Sequence, residues 1–189
     1  MFSNDLHKTA EIIQNGGVAI FPTDTVWGMG CSIENIDAIE KFYAIKKRES
    51  DKPTAVLVGS VDQAKQYGMF NDQALLLMKA HWPGALTIVV QATERVPHSI
   101  LGPQKTIGLR LPNFKIVEQL TQLTKCGLVT GSANFSGQPS PFKKADLDPD
   151  LLQLVEAVVE GECGGQPPST VVDCTQQELK ILRQGTIQL

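Results

Sequence analysis

An eleven-residue stretch rich in hydroxyl, amide and glycine groups is the part of this chain best suited to bind a polar ligand. Residues 130–140 read Thr-Gly-Ser-Ala-Asn-Phe-Ser-Gly-Gln-Pro-Ser and follow the apolar run 127–129. In an open α/β sheet, ligands bind at the carboxyl ends of strands. Glycines let the backbone approach a ligand, and hydroxyls donate hydrogen bonds to anionic oxygens. The stretch therefore predicts an anion-binding loop, although a Ser/Asn/Gly surface loop has a similar composition.

A second polar stretch and a basic cluster add to this chemistry. Residues 22–28, Pro-Thr-Asp-Thr-Val-Trp-Gly, follow another apolar run, and their hydroxyls and Asp24 could orient a ligand or simply cap a turn. Lys46, Arg48 and Lys52 lie at and just beyond the end of a predicted helix. These cations favour an anionic ligand, although a helix C-terminus attracts cations through its dipole in any case.

Two arginines stand inside or at the end of apolar strands. Arg110 lies within Ile-Gly-Leu-Arg-Leu-Pro, residues 107–112, and Arg183 ends the run Ile-Leu-Arg. A charged side chain in such a strand is costly unless it is paired, so Arg110 points either outward to solvent or inward to an anion. Arginine can grip a carboxylate or phosphate with two donors. From the residues alone, we expect a small anionic ligand, phosphorylated, in a groove of an α/β domain.

Composition and missing motifs exclude several protein classes. The net charge of −3 gives no general attraction to nucleic acid or membrane, and the apolar runs are far shorter than a membrane span. The sequence has no P-loop, no dinucleotide-binding glycine motif and no nucleophile elbow. Four scattered cysteines and three histidines make a zinc site unexpected. The first residues do not resemble a signal peptide, so we expect a cytoplasmic protein with reduced thiols.

The hydrophobic pattern predicts alternating helices and strands in a single domain, residues 1–189. Predicted helices cover residues 6–14, 36–47, 61–67, 72–81, 114–123 and 147–155. Predicted strands cover residues 18–21, 54–58, 85–91, 106–111, 127–130, 157–160, 170–173 and 179–182. Helices between strands indicate crossover connections, while the last two strands are close enough to form an antiparallel hairpin. The fold class is therefore α/β with a mixed sheet.

Seven motifs in order resemble one family. They are Pro22–Gly28, Lys46-Lys-Arg48 with Lys52-Pro53, Trp82–Thr87, Arg110-Leu-Pro112, Ser132-Ala-Asn134 with Ser136-Gly137 and Pro139-Ser140, Ser169–Asp173, and Arg183-Gln-Gly185. Together they resemble the YrdC-like threonylcarbamoyl-AMP synthases, in their short, single-domain form. The resemblance implies a twisted mixed β-sheet flanked by helices around a basic concave groove.

The resemblance also implies an activity. Family members convert L-threonine, bicarbonate and ATP into threonylcarbamoyl-AMP and pyrophosphate, a nucleotidyl transfer that supplies threonylcarbamoyladenosine next to the tRNA anticodon. By motif position, residues matched to threonine binding are Thr25, Arg110, Thr130 and Ser169. Residues matched to ATP binding are Arg48, Lys52, Thr106, Ser132, Asn134, Ser140 and Arg183, and catalytic roles fall on Lys46 and Arg48. Mg²⁺ is expected to be carried by ATP, and no protein metal site is expected.

Some features leave alternatives open. Trp27, Glu49 and Thr54 depart from the commonest family pattern without removing a matched ligand residue. An RNA-binding module is a second hypothesis, since the basic cluster could contact phosphates. A carbamoyl-phosphate-using domain, as in hydrogenase-maturation carbamoyltransferases, is a third. Expected partners are the proteins that transfer the threonylcarbamoyl group to tRNA, with weak direct RNA or tRNA binding and no membrane.

Overall fold

The computed structural model describes residues 2–48 and 54–189. Within these residues, eleven strands form one mixed sheet, in the order β1-β9-β2-β3-β8-β4-β7-β6-β10-β11, with β5 paired to β6. The strands are β1 Phe2–Ser3, β2 Ala19–Pro22, β3 Trp27–Ser32, β4 Ala55–Leu57, β5 Gly68–Met69, β6 Leu86–Ala92, β7 Thr106–Arg110, β8 Leu128–Ser132, β9 Ala157–Val159, β10 Thr170–Asp173 and β11 Lys180–Arg183.

The same described residues contain six α-helices, and five of them begin with a side-chain cap, including Asp148 at the start of the last one. They are α1 Leu6–Gln14, α2 Ile36–Lys46, α3 Val61–Tyr67, α4 Asp72–His81, α5 Lys115–Thr124 and α6 Pro149–Gln153. The side chains of Asp5, Asn35, Ser60 and Asn71 accept hydrogen bonds from the first turns of α1, α2, α3 and α4. These bonds satisfy N–H groups that have no partner inside the helix, and they explain why the helices start at these residues.

Strand directions confirm the predicted mixed sheet. The pairs β4–β7, β6–β10, β2–β9 and β1–β9 are parallel. The pairs β2–β3, β3–β8, β4–β8, β6–β7, β5–β6 and β10–β11 are antiparallel. The last pair is the predicted hairpin, with a register shift between Val171 and Val172.

Successive side chains of each strand point to opposite faces of the sheet, one of which is covered and the other partly open. The covered face carries residues such as Ile88, Leu109 and Val172, which pack in one core with side chains from α2, α3, α4 and α6. On the opposite face, α1 and α5 pack over β2, β8 and β9 in a second core. Neither of these two helices covers the part of that face formed by β6, β7 and β10. The uncovered part is the floor of the groove described below.

Three strands, β1, β3 and β5, were not predicted, and several predicted boundaries differ from the structure by one or two residues. The strand β3 was not predicted, because Gly28 and Gly30 interrupt its apolar pattern. It forms because it is fully buried between β2 and β8. The last helix is shorter than predicted and ends at Gln153. Among the described residues, no helix is long and apolar enough to cross a membrane.

Candidate functional site

A cavity of about 600 Å³ opens on the uncovered face of the sheet. Its floor is made of the alternate residues of four strands, among them Ala55 of β4, Val89 of β6, Gly108 of β7 and Val171 of β10. The described lining includes four cationic side chains, Lys46, Arg48, Arg110 and Arg183, against a single carboxylate, Asp173. The predicted basic concave groove is thus present, and its charge favours an anionic ligand.

Arg110 points inward at one end of the cavity and is held by three neighbours. Its Nε donates to the carbonyl oxygen of Gly84 (3.1 Å), Nη1 donates to Thr25 Oγ1 (3.2 Å), and Nη2 donates to Asp24 Oδ1 (2.5 Å). The Arg110 and Asp24 side chains are 7% and 14% exposed. Burial lowers the pKa of Arg110 from its ordinary value, while the Asp24 carboxylate opposes that shift. The guanidinium is therefore fixed in orientation before any ligand arrives.

The hydroxyl of Thr25 is fixed in the same way. It forms a hydrogen bond with Thr23 Oγ1 (3.1 Å), which also accepts from the Thr25 amide and donates to the carbonyl of Val26. The second oxygen of Asp24 accepts from the backbone amide of Asn113 (3.2 Å). The sequence left open whether Asp24 orients a ligand or caps a turn; the structure shows that it orients Arg110.

Ser169 and Arg183 form a second polar group beside Arg110. The hydroxyl of Ser169 is buried and lies 2.8 Å from Thr87 Oγ1. Arg183 donates to the carbonyl oxygen of Ser169 from Nε (3.0 Å) and Nη2 (2.8 Å), and Nη2 also reaches Ser169 Oγ (3.1 Å). Arg183 is exposed as a residue, but its guanidinium lies against this segment. This partial burial, and then the charge of Arg110, lower the pKa of Arg183.

Lys46 and Arg48 both line the cavity because α2 ends in a left-handed residue between them. Lys47 has φ 51° and its ammonium lies 4.4 Å from the centre of the Phe135 ring, away from its two neighbours. Lys46 is buried, and its Nζ donates to the carbonyl oxygens of Ser132 and Asn134, the latter at 3.0 Å. Burial, and secondarily the charge of Arg48, lower the pKa of Lys46 to about 8.

The predicted anion-binding loop after β8 is rigidly held. Ser132 Oγ donates to Asn134 Oδ1, and Asn134 Nδ2 donates to the carbonyl of Gln138 (2.6 Å). A side chain on Gly131 would place its Cβ 3.2 Å from Lys46 Cε, so glycine there leaves room for the lysine. Ser132 and Ser140 line the cavity. The loop therefore presents hydroxyls to the cavity while Lys46 ties its carbonyls together.

Further polar residues line the cavity besides the cationic side chains. The lining includes Thr106 at the start of β7, the turn Pro103–Gln104, and Asp173 and Thr175 at the end of β10. Asp173 Oδ1 accepts from the amide (2.8 Å) and from Oγ1 (2.7 Å) of Thr175. Asp173 is thus the carboxylate that the described lining adds to its four cations.

Most residues that the sequence singled out come together in this cavity. They are Thr25, Lys46, Arg48, Thr106, Arg110, Thr130, Ser132, Ser140, Ser169 and Arg183. Asn134 is buried behind Ser132, where it holds the loop rather than lining the cavity. Lys52 and Glu49 lie outside the described residues. The roles of these residues toward threonine and ATP stay predictions.

Six polar lining residues were given no individual ligand role from the sequence: Thr23, Thr54, Thr87, Gln104, Asp173 and Thr175. For two of them, Asp173 and Thr87, the spacing along a predicted strand was a usable signal. Asp173 follows Ser169 at an even spacing on β10, and Thr87 is the polar residue of a strand that alternates with buried Leu86 and Ile88. Because alternate residues of a strand share a face, this spacing could have placed both beside the predicted ligand residues.

That Mg²⁺ is carried by ATP stays a prediction. Over residues 2–48 and 54–189, no group of three or more histidine, cysteine, aspartate or glutamate side chains could hold a metal ion. A single lining carboxylate is also consistent with Mg²⁺ that keeps phosphate and water ligands.

Comparison with known proteins agrees with the motifs. The Sua5/YciO/YrdC family model, described as telomere recombination, matches residues 11–185. The threonylcarbamoyl-AMP synthase of Pyrococcus abyssi is 32% identical over 182 residues, which are 95% of this chain and 54% of that protein. A protein of the same name from Xanthomonas campestris is 30% identical over 171 residues, which are 89% of this chain and 91% of that protein.

A solved structure extends the comparison to the fold. Crystalline P. abyssi Sua5 complexed with L-threonine superposes with a TM-score of 0.91 and 31% identity, over 95% of this chain and 54% of that one. This chain therefore spans about half the length of the P. abyssi protein but most of the Xanthomonas one. The ordered motifs, the fold and the family match agree, and the chain belongs to the Sua5/YciO/YrdC family.

Proposed function

We propose that this chain is an L-threonylcarbamoyladenylate synthase, a nucleotidyltransferase that uses L-threonine, bicarbonate and ATP. The observation that carries the proposal is the buried, oriented Arg110 at the head of a cationic cavity. Relatives named threonylcarbamoyl-AMP synthase and a similar protein crystallised with L-threonine support it.

Arg110 suits the carboxylate of an amino acid. A guanidinium has five N–H donors. Three of these are used by Gly84, Asp24 and Thr25, which leaves two, one on each Nη, that no described residue accepts. Because Asp24 balances the charge of Arg110, selection of a carboxylate depends on the direction of these two donors as much as on charge. The hydroxyls of Thr25 and Ser169 lie beside them to orient the rest of threonine.

The remaining cations suit the triphosphate. In the proposed reaction the threonine amine captures bicarbonate as a carbamate with loss of water, or CO₂ with loss of a proton. A carbamate oxygen then attacks the α-phosphorus of ATP, a new P–O bond forms, and the bond to pyrophosphate breaks. Such a transfer depends on positioning and on neutralising charge rather than on a strong base. Arg48, Arg183 and Lys46 supply that charge from the protein, and Mg²⁺ bound to the triphosphate adds to it.

Lys46 has a double role in this proposal. Its ammonium ties the carbonyls of Ser132 and Asn134 and so shapes the loop that carries Ser132 and Ser140. It also lines the cavity, where it adds positive charge next to Arg48. Transfer of the product to tRNA by partner proteins, weak direct RNA binding and a cytoplasmic location stay predictions.

A single assay tests the function. The protein is incubated with ATP, L-threonine and bicarbonate, and mass spectrometry is used to detect threonylcarbamoyl-AMP. Pyrophosphate release should require both threonine and bicarbonate, because the attacking oxygen exists only after the carbamate has formed. Pyrophosphate release at the full rate without threonine would refute the mechanism. Carbamoyl-phosphate turnover, or salt-dependent RNA binding without ATP turnover, would instead favour the alternative hypotheses.

A further inference from the structure

The single carboxylate in the described cavity lining, Asp173, is not explained by the phosphate and threonine contacts above. Its Oδ1 is occupied by Thr175, and no described residue donates a hydrogen bond to its second oxygen. Lys180 lies opposite Asp173 in the β10–β11 pair, but the two form no ion pair within the described chain. A half-buried carboxylate that faces a nucleotide cavity needs hydrogen-bond donors from the ligand.

The position of Asp173 along β10 separates it from the carboxylate-binding end. Ser169 stands just before the strand and Asp173 ends it, four residues further on, or about 13 Å along an extended strand. Across the sheet, Asp173 is in register with Val89, and Val89 with Gly108, so that all three share the floor with Arg110 two residues beyond. Asp173 therefore lies on the floor well away from the threonine site.

Asp173 lies at the other end of β10 from the guanidinium of Arg183, the proposed phosphate-binding cation that is held on Ser169. The backbone of Arg183 is in register with Val171, two residues from Asp173 on the same strand, or about 7 Å. A carboxylate repels phosphate oxygens, so the group that it contacts must be a neutral part of the nucleotide next to the phosphates. In ATP that part is the ribose, whose two adjacent hydroxyls are donors. Carboxylates bind ribose hydroxyls in dinucleotide sites for the same chemical reason.

We propose that Asp173 recognises the vicinal ribose hydroxyls of ATP and makes this cavity selective for ribonucleotides. The proposal rests on the proposed use of ATP. It adds a selectivity that neither the cationic residues nor the loop hydroxyls provide, because phosphates are the same in ribo- and deoxyribonucleotides.

The test compares binding of ATP, 2′-deoxy-ATP, 3′-deoxy-ATP and ITP by calorimetry, without threonine. The wild type should bind ATP about tenfold more tightly than either deoxy analogue, because each lacks a hydrogen bond to a charged acceptor. Asp173→Asn keeps an oxygen for Thr175 but removes the charge. It should bind ATP about a hundredfold and each deoxy analogue about tenfold more weakly than the wild type does, because each analogue still has one of the two hydroxyls. Its preference for ATP over the analogues should fall to within about twofold. The matched control is Glu178→Gln, which removes one negative charge from the exposed turn of the same hairpin and should leave the preference unchanged.

Each contrary result overturns the proposal in a different way. Equal wild-type binding of ATP and both deoxy analogues shows that the hydroxyls are not recognised. A uniform loss for all nucleotides in Asp173→Asn indicates a structural role, and tighter ATP binding places phosphates at Asp173. If Asp173→Asn loses only the preference for ATP over ITP, Asp173 contacts the adenine amino group. If the variant changes only the Mg²⁺ requirement of ATP binding, Asp173 contacts the metal ion. If the wild type binds no ATP, both the proposed function and the ribose proposal are wrong. If it binds ATP with ribose selectivity but forms no threonylcarbamoyl-AMP, only the proposed function is wrong.

Discussion

Replacing Arg110 should have two separable effects, one on stability and one on threonine binding. Arg110→Ala leaves the Asp24 carboxylate largely buried, with only the Asn113 amide as its partner among the contacts described above. Breaking a buried ion pair on one side costs about 3–5 kcal/mol. For a domain of this size, 1 kcal/mol lowers Tm by about 2–4 °C. We therefore expect Tm to fall by roughly 6–20 °C.

Threonine affinity should fall independently of that loss of stability. The two Arg110 donors that no described residue accepts would no longer meet the ligand carboxylate. Loss of a charge-assisted hydrogen bond costs about 1.5–3 kcal/mol, or ten- to a hundred-fold in affinity. Arg110→Lys should restore only part of it, because an ammonium cannot satisfy Asp24, Thr25 and a ligand in the same planar geometry. ATP affinity should stay within about threefold, because Arg110 makes no proposed contact with the phosphates.

A double variant separates the two effects. Asp24→Asn combined with Arg110→Met removes both charges and should recover most of the lost Tm, because no unpaired buried charge remains. Threonine binding should stay weak. The measurements are thermal unfolding and calorimetric titration with L-threonine and, separately, with ATP. If the double variant recovers both stability and wild-type threonine affinity, Arg110 is structural and the threonine site lies elsewhere.

Three further predictions concern the phosphate-binding end. In the free protein the Lys46 pKa is lowered from an ordinary value of 10.5 to about 8. ATP affinity should therefore fall as pH rises from 7 to 9, with proton uptake on binding in calorimetry; an affinity that does not change over this range contradicts the assignment. Arg183→Ala should weaken ATP about ten- to a hundred-fold and threonine only a few-fold, since Arg183 also holds Ser169; unchanged ATP binding in titrations would refute its role. Gly131→Ala should push the Lys46 amine and weaken ATP by about threefold with Tm nearly unchanged; unaltered ATP affinity would show that Lys46 acts only through the loop.

The lowered pKa of Lys46 also predicts how the free energy of unfolding changes with pH. The unfolded protein holds the Lys46 proton up to a higher pH than the folded protein does. Between about pH 8 and pH 10.5 the unfolded state therefore binds more protons, and this residue makes folding more favourable as pH rises. Nucleotide binding and stability should thus respond to Lys46 in opposite directions over this range.

Local sequence signals predicted the elements that depend on local chemistry. Helix α1 was predicted at its observed bounds, because its apolar spacing and the Gly16-Gly17 pair that follows it are local features. The strand β3 could not be predicted in this way. Its Trp27–Ser32 segment is extended because two neighbouring strands pair with it on both sides, which is a tertiary effect.

In the candidate site, too, some features could be predicted from the local sequence and others depend on the tertiary structure. The cations and hydroxyls were recognisable by type, but the direction of Arg110 depends on Asp24, which is 86 residues away in sequence. The motif also included Asn134 among the ligand residues, whereas the fold turns its amide toward Ser132 and Gln138. Spacing in a motif shows which residues gather at a site, but side-chain partners decide which of them face the cavity.

The order of strands has a consequence for how the protein folds. The floor of the cavity needs β6 beside β10, a parallel pair that joins residues 86–89 to residues 170–173. Its walls need β3 beside β8, which joins residues 28–32 to residues 128–132. Contacts this distant in sequence close large loops and slow the search for the native state. Refolding from denaturant should therefore restore ligand binding late, after the locally encoded helices have formed, and no partly folded fragment should bind threonine.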